Sequence, residues 1–446
     1  MGEARRYGWR VKVSQSIDLH EKDLSYGVFF IYTVLYIYKT VFIFVGKTNE
    51  MTMTNKVGSP VEGDDFFDRK AELAEAWDLL QNGNHLLISA PRRVGKTSLV
   101  RRLVRDAQGA NWKALFINVE GEENEIGFVR LFVEGLKEQK NWFEKTKDNT
   151  FKTLSSLLQS LELEVKADDV GSMTVKWNQA KTADLKTQLL DLLRTMEDGL
   201  IVIDELPILL NRIAKAENGK QRAESFLHWL RSFRQLPGLR IRWVFCGSIG
   251  LDSFTERMGV VKTINDLYGF PLGAFTPKVA DQFLERLGQD NSLPLSPAVR
   301  QEIVTLTGWP LPYYLQLLFS KLKSAHRIQG LSSVVTVEDV APAFSKAAVH
   351  SNLGTWMERL DEQLTDEDAR LAKGILDLLS RQQKGRKRSL LEQHLGALRV
   401  APENIKDKAT QLLKMLERDG YLLSQEGTYA FRSPLLRTYW FTTRLQ

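Results

Sequence analysis

The chain has 446 residues, 43% of them hydrophobic and 26% charged, globular proportions that exclude wholesale disorder, collagen and coiled coil. At roughly 100–200 residues per domain, such a length predicts two to four domains. A single cysteine, Cys246, excludes a disulfide framework and a cysteine-rich zinc site, and six scattered histidines offer no metal cluster. The net charge of +6 suits a nucleic-acid or acidic-membrane partner without requiring one. These features predict a soluble, multi-domain, cytoplasmic protein.

Residues 28–45 read VFFIYTVLYIYKTVFIFV, broken only by Thr33, Lys39 and Thr40. The run sits at the lower length limit of a membrane helix, and Lys39 near its middle is costly in lipid. Arg5, Arg6, Arg10 and Lys12 precede it and Lys47 and Lys56 follow, so charge assigns no orientation. It makes a poor signal peptide, because the apolar run starts late and no small-residue cleavage site follows. Three readings stay open: a translated upstream extension with the working start at Met51 or Met53, a membrane anchor, or buried strands. Residues 1–60 are taken as an N-terminal extension of uncertain role.

From Asp64 the pattern becomes regular. Residues 71–80 form a short amphipathic helix stopped by Asn82-Gly83-Asn84. The run 85–90 (HLLISA) is a buried-strand candidate, followed by a Pro/Gly loop and a helix over 96–107. Residues 114–119 (ALFINV) give a second strand, and 128–161 a helical stretch interrupted near Lys147-Asp148-Asn149. The alternation over 163–177 with Gly171 suggests a hairpin, 185–196 a helix, and 199–203 (GLIVI) and 240–246 (RIRWVFC) the third and fourth strands. Strands that read as continuous apolar runs between helices indicate a parallel sheet covered on both faces. After Gly273 the strand signal disappears, and 280–287, 297–306, 312–323 and 337–348 read as helices. From Asp366 the order is three helices and then two short strands, 421–424 and 428–432, as in a winged helix-turn-helix. No internal repeat is visible.

Ala90-Pro91-Arg92-Arg93-Val94-Gly95-Lys96-Thr97 lies between a predicted strand and a predicted helix, and matches the phosphate-loop pattern except that Ala90 stands for its first glycine. Loop N–H groups and the positive end of the helix can wrap a phosphate. Gly95 allows close backbone approach, Lys96 neutralises β/γ oxygens and the Thr97 hydroxyl can ligate Mg²⁺, with Ser98 following on the helix. The expected partner, a strand ending in acid, is 200–205 (LIVIDE). Asp204 would hold the Mg²⁺ shell and Glu205 would polarise the attacking water. Ser248 would sit beside the γ-phosphate if its strand adjoins that of Asp204; the alternative is a small residue opening a turn. Cys246 reads as a buried strand residue and not as a nucleophile.

Phe66-Phe67-Asp68-Arg69-Lys70-Ala71-Glu72, the phosphate loop, Asp204-Glu205-Leu206-Pro207, Gly247-Ser248 and Gly308-Trp309-Pro310 together resemble the STAND-type ATPases, which are close to AAA+. The similarity is to the group called archaeal-type ATPases, which also occurs in bacteria, and runs from Phe66 to the C-terminus. In the family's first motif, hydrophobic-hydrophobic-Gly-Arg-Glu-x-Glu, Asp68 replaces the glycine and Lys70 the first glutamate. The resemblance implies ATP in preference to GTP, slow turnover and a switch instead of a motor. It also implies that the Arg69 segment lies against the nucleotide and that Pro310 carries the lid to the base. Arg231, Arg234, Arg240, Arg242 and Arg257 all remain open as an arginine finger.

The C-terminal stretch carries a modest excess of Lys and Arg, densest at Lys384-Gly385-Arg386-Lys387-Arg388. In 404–418, Ile405, Ala409, Leu412, Leu413 and Leu416 share one helical face, with Lys406, Lys408 and Lys414 largely elsewhere. As the second helix of a helix-turn-helix it would enter a DNA major groove, with the basic run on phosphates. The alternative is a winged helix that packs on the ATPase or on a protein partner. The aromatic end 434–440 reads as packing more than as a stacking platform.

The expectation is an α/β chain: a P-loop NTPase parallel-sheet core (61–273), a helical lid (274–355) and a C-terminal winged helix-turn-helix (356–446). Its function would be Mg²⁺-dependent binding and hydrolysis of ATP as a switch, with duplex DNA as partner. A nucleotide-binding scaffold with little turnover and a protein partner is the other reading. The nucleotide set is Arg69, Pro91, Arg92, Arg93, Val94, Gly95, Lys96, Thr97, Ser98 and Pro310. Glu205, Lys96 and Ser248 are the catalytic candidates, and Thr97 and Asp204 the metal ligands. A homo-oligomer is compatible with this reading, and a membrane contact only if 28–45 is an anchor.

Overall fold

The computed structural model describes residues 52–139, 152–159, 179–196, 198–247, 250–329 and 334–446, together with the pairs 5–6 and 9–10. The chain divides into two compact units, Met1–Thr52 and Met53–Gln446. In the first, Arg5–Arg6 pairs antiparallel with Trp9–Arg10. The apolar segment 28–45, the hairpin expected at 163–177 and Ser248 lie outside the described residues. Among those described, no helix is long and apolar enough to cross a membrane.

The second unit is built on five parallel strands: β1 (His85–Ser89), β2 (Lys113–Asn118), β3 (Gly199–Asp204), β4 (Ile241–Gly247) and β5 (Leu267–Gly269), in the spatial order β2-β3-β4-β1-β5. Successive side chains of a strand point to opposite faces, and both faces here are covered. Leu86, Ile88, Leu200, Val202 and Val244 feed one buried cluster, while Leu87, Leu115, Ile201, Ile203 and Phe245 feed the other. That double burial is why the strands read as unbroken apolar runs. β5 departs from the expected four strands. It has only three residues, and none of them is buried, so it carries no apolar signature. Ser89 is in register with Gly247, and Cys246 with Asp204, which lines up the carboxyl ends of the strands in one row, where ligands bind in such sheets.

Four helices follow, Pro277–Asp290, Pro297–Thr307, Pro312–Gln329 and Val340–Ala347. The first two open on Thr276-Pro277 and Ser296-Pro297, whose hydroxyls accept the N–H groups of Val279 and Val299. The last part packs helices Thr355–Gln363, Asp366–Ser380, Arg388–Ala397 and Ile405–Arg418 around a small antiparallel sheet of β6 (Arg386–Lys387), β7 (Leu422–Gln425) and β8 (Thr428–Phe431), ordered β6-β8-β7. The arrangement is compatible with the expected winged helix-turn-helix. The basic run therefore contributes an edge strand, and the aromatic end is a closing helix, Pro434–Leu445, with Trp440 fully buried and its Nε1 donating to Asp377 at 2.8 Å. One buried cluster runs without a break from Ile88 of the sheet through Phe319 to Leu416 and Trp440. Residues 53–61 belong to the same unit: Met53 is buried, and its N–H donates to Asp290 at 2.8 Å.

Candidate nucleotide-binding site

The chain leaves β1, turns through Arg93 (φ 69°) and Gly95 (φ 97°), and enters helix Lys96–Gly109 directly. The left-handed backbone at Gly95 is the conformation that only glycine takes without strain. Ala90, at the pattern's first glycine, is not among the residues with positive φ, so nothing in its backbone demands a glycine. Lys96 is buried at 6% exposure. Its ammonium donates to the carbonyls of Ala90 at 2.6 Å and Pro91 at 3.0 Å, drawing the loop around itself. Burial depresses its pKa to about 8, because the charged form loses its hydration.

On the neighbouring strand Asp204 is wholly buried. Its Oδ2 accepts the Thr97 hydroxyl at 2.8 Å, and its Oδ1 accepts the Glu205 N–H at 3.1 Å and the Cys246 thiol at 3.1 Å. Desolvation and then the adjacent Glu205 charge push its pKa up. Burial likewise raises the Cys246 thiol well above its ordinary range, so this cysteine braces a carboxylate and is no nucleophile. Thr97 and Asp204 present hard oxygen donors side by side. No cluster of three or more metal-binding side chains exists among the described residues. That set suits Mg²⁺, which takes one or two protein oxygens and fills its shell with water and phosphate. Glu205 occupies a left-handed turn (φ 61°) before helix Leu206–Lys215 and lines the cavity.

The cavity measures about 270 Å³. Its polar wall is Arg92 to Ser98 and its apolar wall includes Phe67, Phe275, Phe283 and Tyr313. Asp68 (φ 56°) and Arg69 (φ 65°) are both left-handed. Asp68 thus takes a left-handed turn without being a glycine, and aspartate is among the residues that tolerate it. Arg69, 6% exposed, donates to Glu72 at 2.6 Å, to the Gly273 carbonyl at 2.7 Å and to the Val94 carbonyl at 3.2 Å, and lies 4.7 Å over Phe275. It clamps the loop 90–97 to the segment that leads into helix Pro277–Asp290. Arg93 donates to the Gly58 carbonyl at 3.1 Å and stacks 4.5 Å over Tyr313, while Arg92 lies 3.8 Å from Glu120. The Ser98 hydroxyl accepts the Val61 N–H at 2.9 Å, so it anchors the segment that walls the cavity. Pro310 offers its carbonyl to the Phe275 N–H at 3.2 Å, and the lid residues lining the cavity are Pro312, Tyr313 and Gln316.

The five arginines left open by the sequence are all engaged elsewhere. Arg231 and Arg234 pair with Asp266, Arg240 with Asp198, and Arg242 donates to the Leu80 carbonyl. Arg257 donates to Gln363 and Asn211. Sequence reasoning missed a different group, supplied by the C-terminal part. Arg359 and Asp419, each 2% exposed at the side chain, face each other at 3.7 Å. Gly420 (φ 86°) rests on the phosphate loop so closely that a Cβ there would lie 2.9 Å from Pro91 and 2.7 Å from Trp309. Arg418 donates to Ser253 at 2.6 Å and Glu256 at 3.1 Å, and Lys414 reaches Glu256 at 3.2 Å. No sequence pattern marks these contacts, because every pair is more than 50 residues apart.

No protein-family model matches the sequence, and a search of curated proteins returns no match. Solved structures do match. A Walker-type ATPase of Pyrococcus abyssi superposes with a TM-score of 0.60 at 16% identity, covering 87% of this chain and 99% of the other. The ORC2 protein of Aeropyrum pernix, in ADPNP–ADP complexes, gives a TM-score of 0.51 at 14% identity, covering 90% and 99%. The chain accordingly shares the fold of these structures: α/β, with a parallel five-stranded sheet and a loop after β1 that opens into helix Lys96–Gly109.

Proposed function

We propose that the protein binds ATP with Mg²⁺ between the sheet and the helical lid and hydrolyses it slowly, as a STAND-like switch. The observation carrying this reading is the convergence, at one cavity, of the buried Lys96 ammonium, the Thr97–Asp204 pair at 2.8 Å and Glu205. The likeness to a Walker-type ATPase and to a protein solved with ADPNP and ADP is in keeping with it.

Lys96 exchanges its two carbonyl acceptors for phosphate oxygens, a stronger charge-assisted bond. Thr97 and Asp204 would hold Mg²⁺, which when bound screens charge developing on the phosphates. Glu205 accepts the proton of the attacking water or orients it, since it lines the cavity one residue beyond Asp204. Arg69 and Tyr313 enclose the nucleotide from the lid side. Phosphate release from ATP by the full chain, compared with Glu205→Gln, tests this; equal rates would remove Glu205 from the mechanism.

For the C-terminal part, a contact with its own ATPase is favoured over DNA in this state. Helix Ile405–Arg418 spends Lys414 and Arg418 on Glu256 and Ser253, and Arg388 bonds Glu392 and Thr410. Of the dense basic run, Lys384 and Lys387 stand exposed. Adding duplex DNA to the ATPase assay separates the readings: stimulation supports a DNA-responsive switch, and indifference supports the intramolecular one.

A further inference from the structure

The C-terminal part reaches the phosphate loop through one small group of buried residues. Thr355, on helix Thr355–Gln363, lines the nucleotide cavity, and Arg359 lies one turn further along the same face. Arg359 is 2% exposed, and its Nη1 has no hydrogen-bond partner. Its ion pair with Asp419, at 3.7 Å, is longer than a hydrogen bond. Gln363, with its amide oriented to satisfy both neighbours, accepts from Arg359 Nε and donates to Asp419 at 3.1 Å. Gly420, the residue after Asp419, sits against Pro91, and the Tyr421 hydroxyl donates to the Trp356 carbonyl at 2.7 Å. Arg359 is also close enough to Lys96 to act on its charge, as are Glu205 and Asp204. A buried guanidinium with an idle donor, an imperfect carboxylate partner and a lysine of like charge nearby is a poor stabilising device. It is a good receptor for an anion that arrives between the two cations.

We propose that Arg359 is the residue by which the C-terminal part reads the terminal phosphate of a bound nucleoside triphosphate, giving up Asp419 for that phosphate. This rests on the nucleotide site proposed above. Asp419 then acts as the competing anion that keeps Arg359 in place when the terminal phosphate is missing. The exchange loosens the Asp419–Gly420 contact with the phosphate loop and so couples nucleotide state to the docking of helix Ile405–Arg418.

The test uses the full chain, with ATP and ADP as competing probes and limited proteolysis after Arg381 as the report on docking. Arg359→Gln should weaken ATP by about 10- to 100-fold while changing ADP by less than about threefold. Arg359→Lys should recover part of that loss. Asp419→Asn should move the other way, tightening ATP relative to ADP and speeding cleavage. A pair that merely holds the fold would shift ATP and ADP alike, or send both variants in the same direction, and either result overturns the proposal. The Arg359→Gln/Asp419→Asn double variant leaves no buried charge unpaired, so an ATP-to-ADP ratio like that of wild type there also overturns it. Wild-type protein that binds neither nucleotide, like Lys96→Ala, would instead sink the nucleotide site itself.

Discussion

The phosphate loop and the helix Ile405–Arg418 are both basic, and the structure uses their charge in opposite ways. At the loop, Lys96 is buried and holds only backbone carbonyls, groups that an incoming phosphate outbids. On the helix, Lys414 and Arg418 already hold a carboxylate, Glu256, across the groove to helix Leu251–Met258. The first charge is matched only by neutral carbonyls; the second is matched by a carboxylate of the chain itself. Local basic charge therefore says little about partners until the acceptors facing it are known. The sheet register and the C-terminal packing place those acceptors.

Substitutions at the two regions test this contrast. The largest effect is expected for Glu205→Gln, which should lower turnover about 10²- to 10⁴-fold with ATP still bound, read as single-turnover phosphate release. Next, Lys96→Ala should weaken ATP by about 100-fold, as for loss of a buried charge-assisted contact, measured by nucleotide titration; wild-type affinity would refute the loop as the site.

The Lys96 pKa gives a pH prediction of intermediate size. Its value falls from 10.5 in the open chain to about 8 in the fold. Between those values the unfolded chain holds the extra proton, so this lysine destabilises the folded protein below about pH 8 and ceases to do so as pH rises towards 10.5. Nucleotide affinity has the opposite sign, because phosphate needs the ammonium. ATP affinity should fall by up to about tenfold per unit as pH rises above about 8, and Lys96→Ala should flatten that profile.

Smaller effects belong to the C-terminal surface. Neutralising Lys384 and Lys387 together should reduce the salt slope of any DNA binding by about 2. Arg388 is a poor choice for that test, since it ties helix Arg388–Ala397 to helix Ile405–Arg418. Least of all, a Glu256→Ala/Arg418→Ala double-mutant cycle should give a coupling of about 0.2–1 kcal/mol, as for a partly exposed ion pair, read from denaturant unfolding. A coupling near zero would mean that apolar contacts alone seat the helix.

Much of the site was legible because its chemistry is local in sequence. Gly95-Lys96-Thr97 opens a helix after an apolar strand, and Asp204-Glu205 ends another, so strand and helix periodicity alone put cation, hydroxyl and carboxylates at the same edge of a parallel sheet. The lid helices were legible from Thr276-Pro277 and Ser296-Pro297, which announce their own first turns. β5 was not, because three partly exposed residues carry no alternation and form a strand only when β1 supplies the other side of the ladder. The role of Arg386-Lys387 as an edge strand depended in the same way on pairing with β8.

The class of fold and the loop 90–97 with Asp204-Glu205 could be read from the chain alone, since they follow from short-range spacing and from the hydrophobicity of single segments. Long-range packing was needed to show which arginines are spent on carboxylates, that Cys246 braces Asp204, that Arg359 faces Asp419, and that Gly420 rests on Pro91. Those outcomes depend on burial and on partners more than 30 residues away, where desolvation and distance set the sign of each charge's contribution.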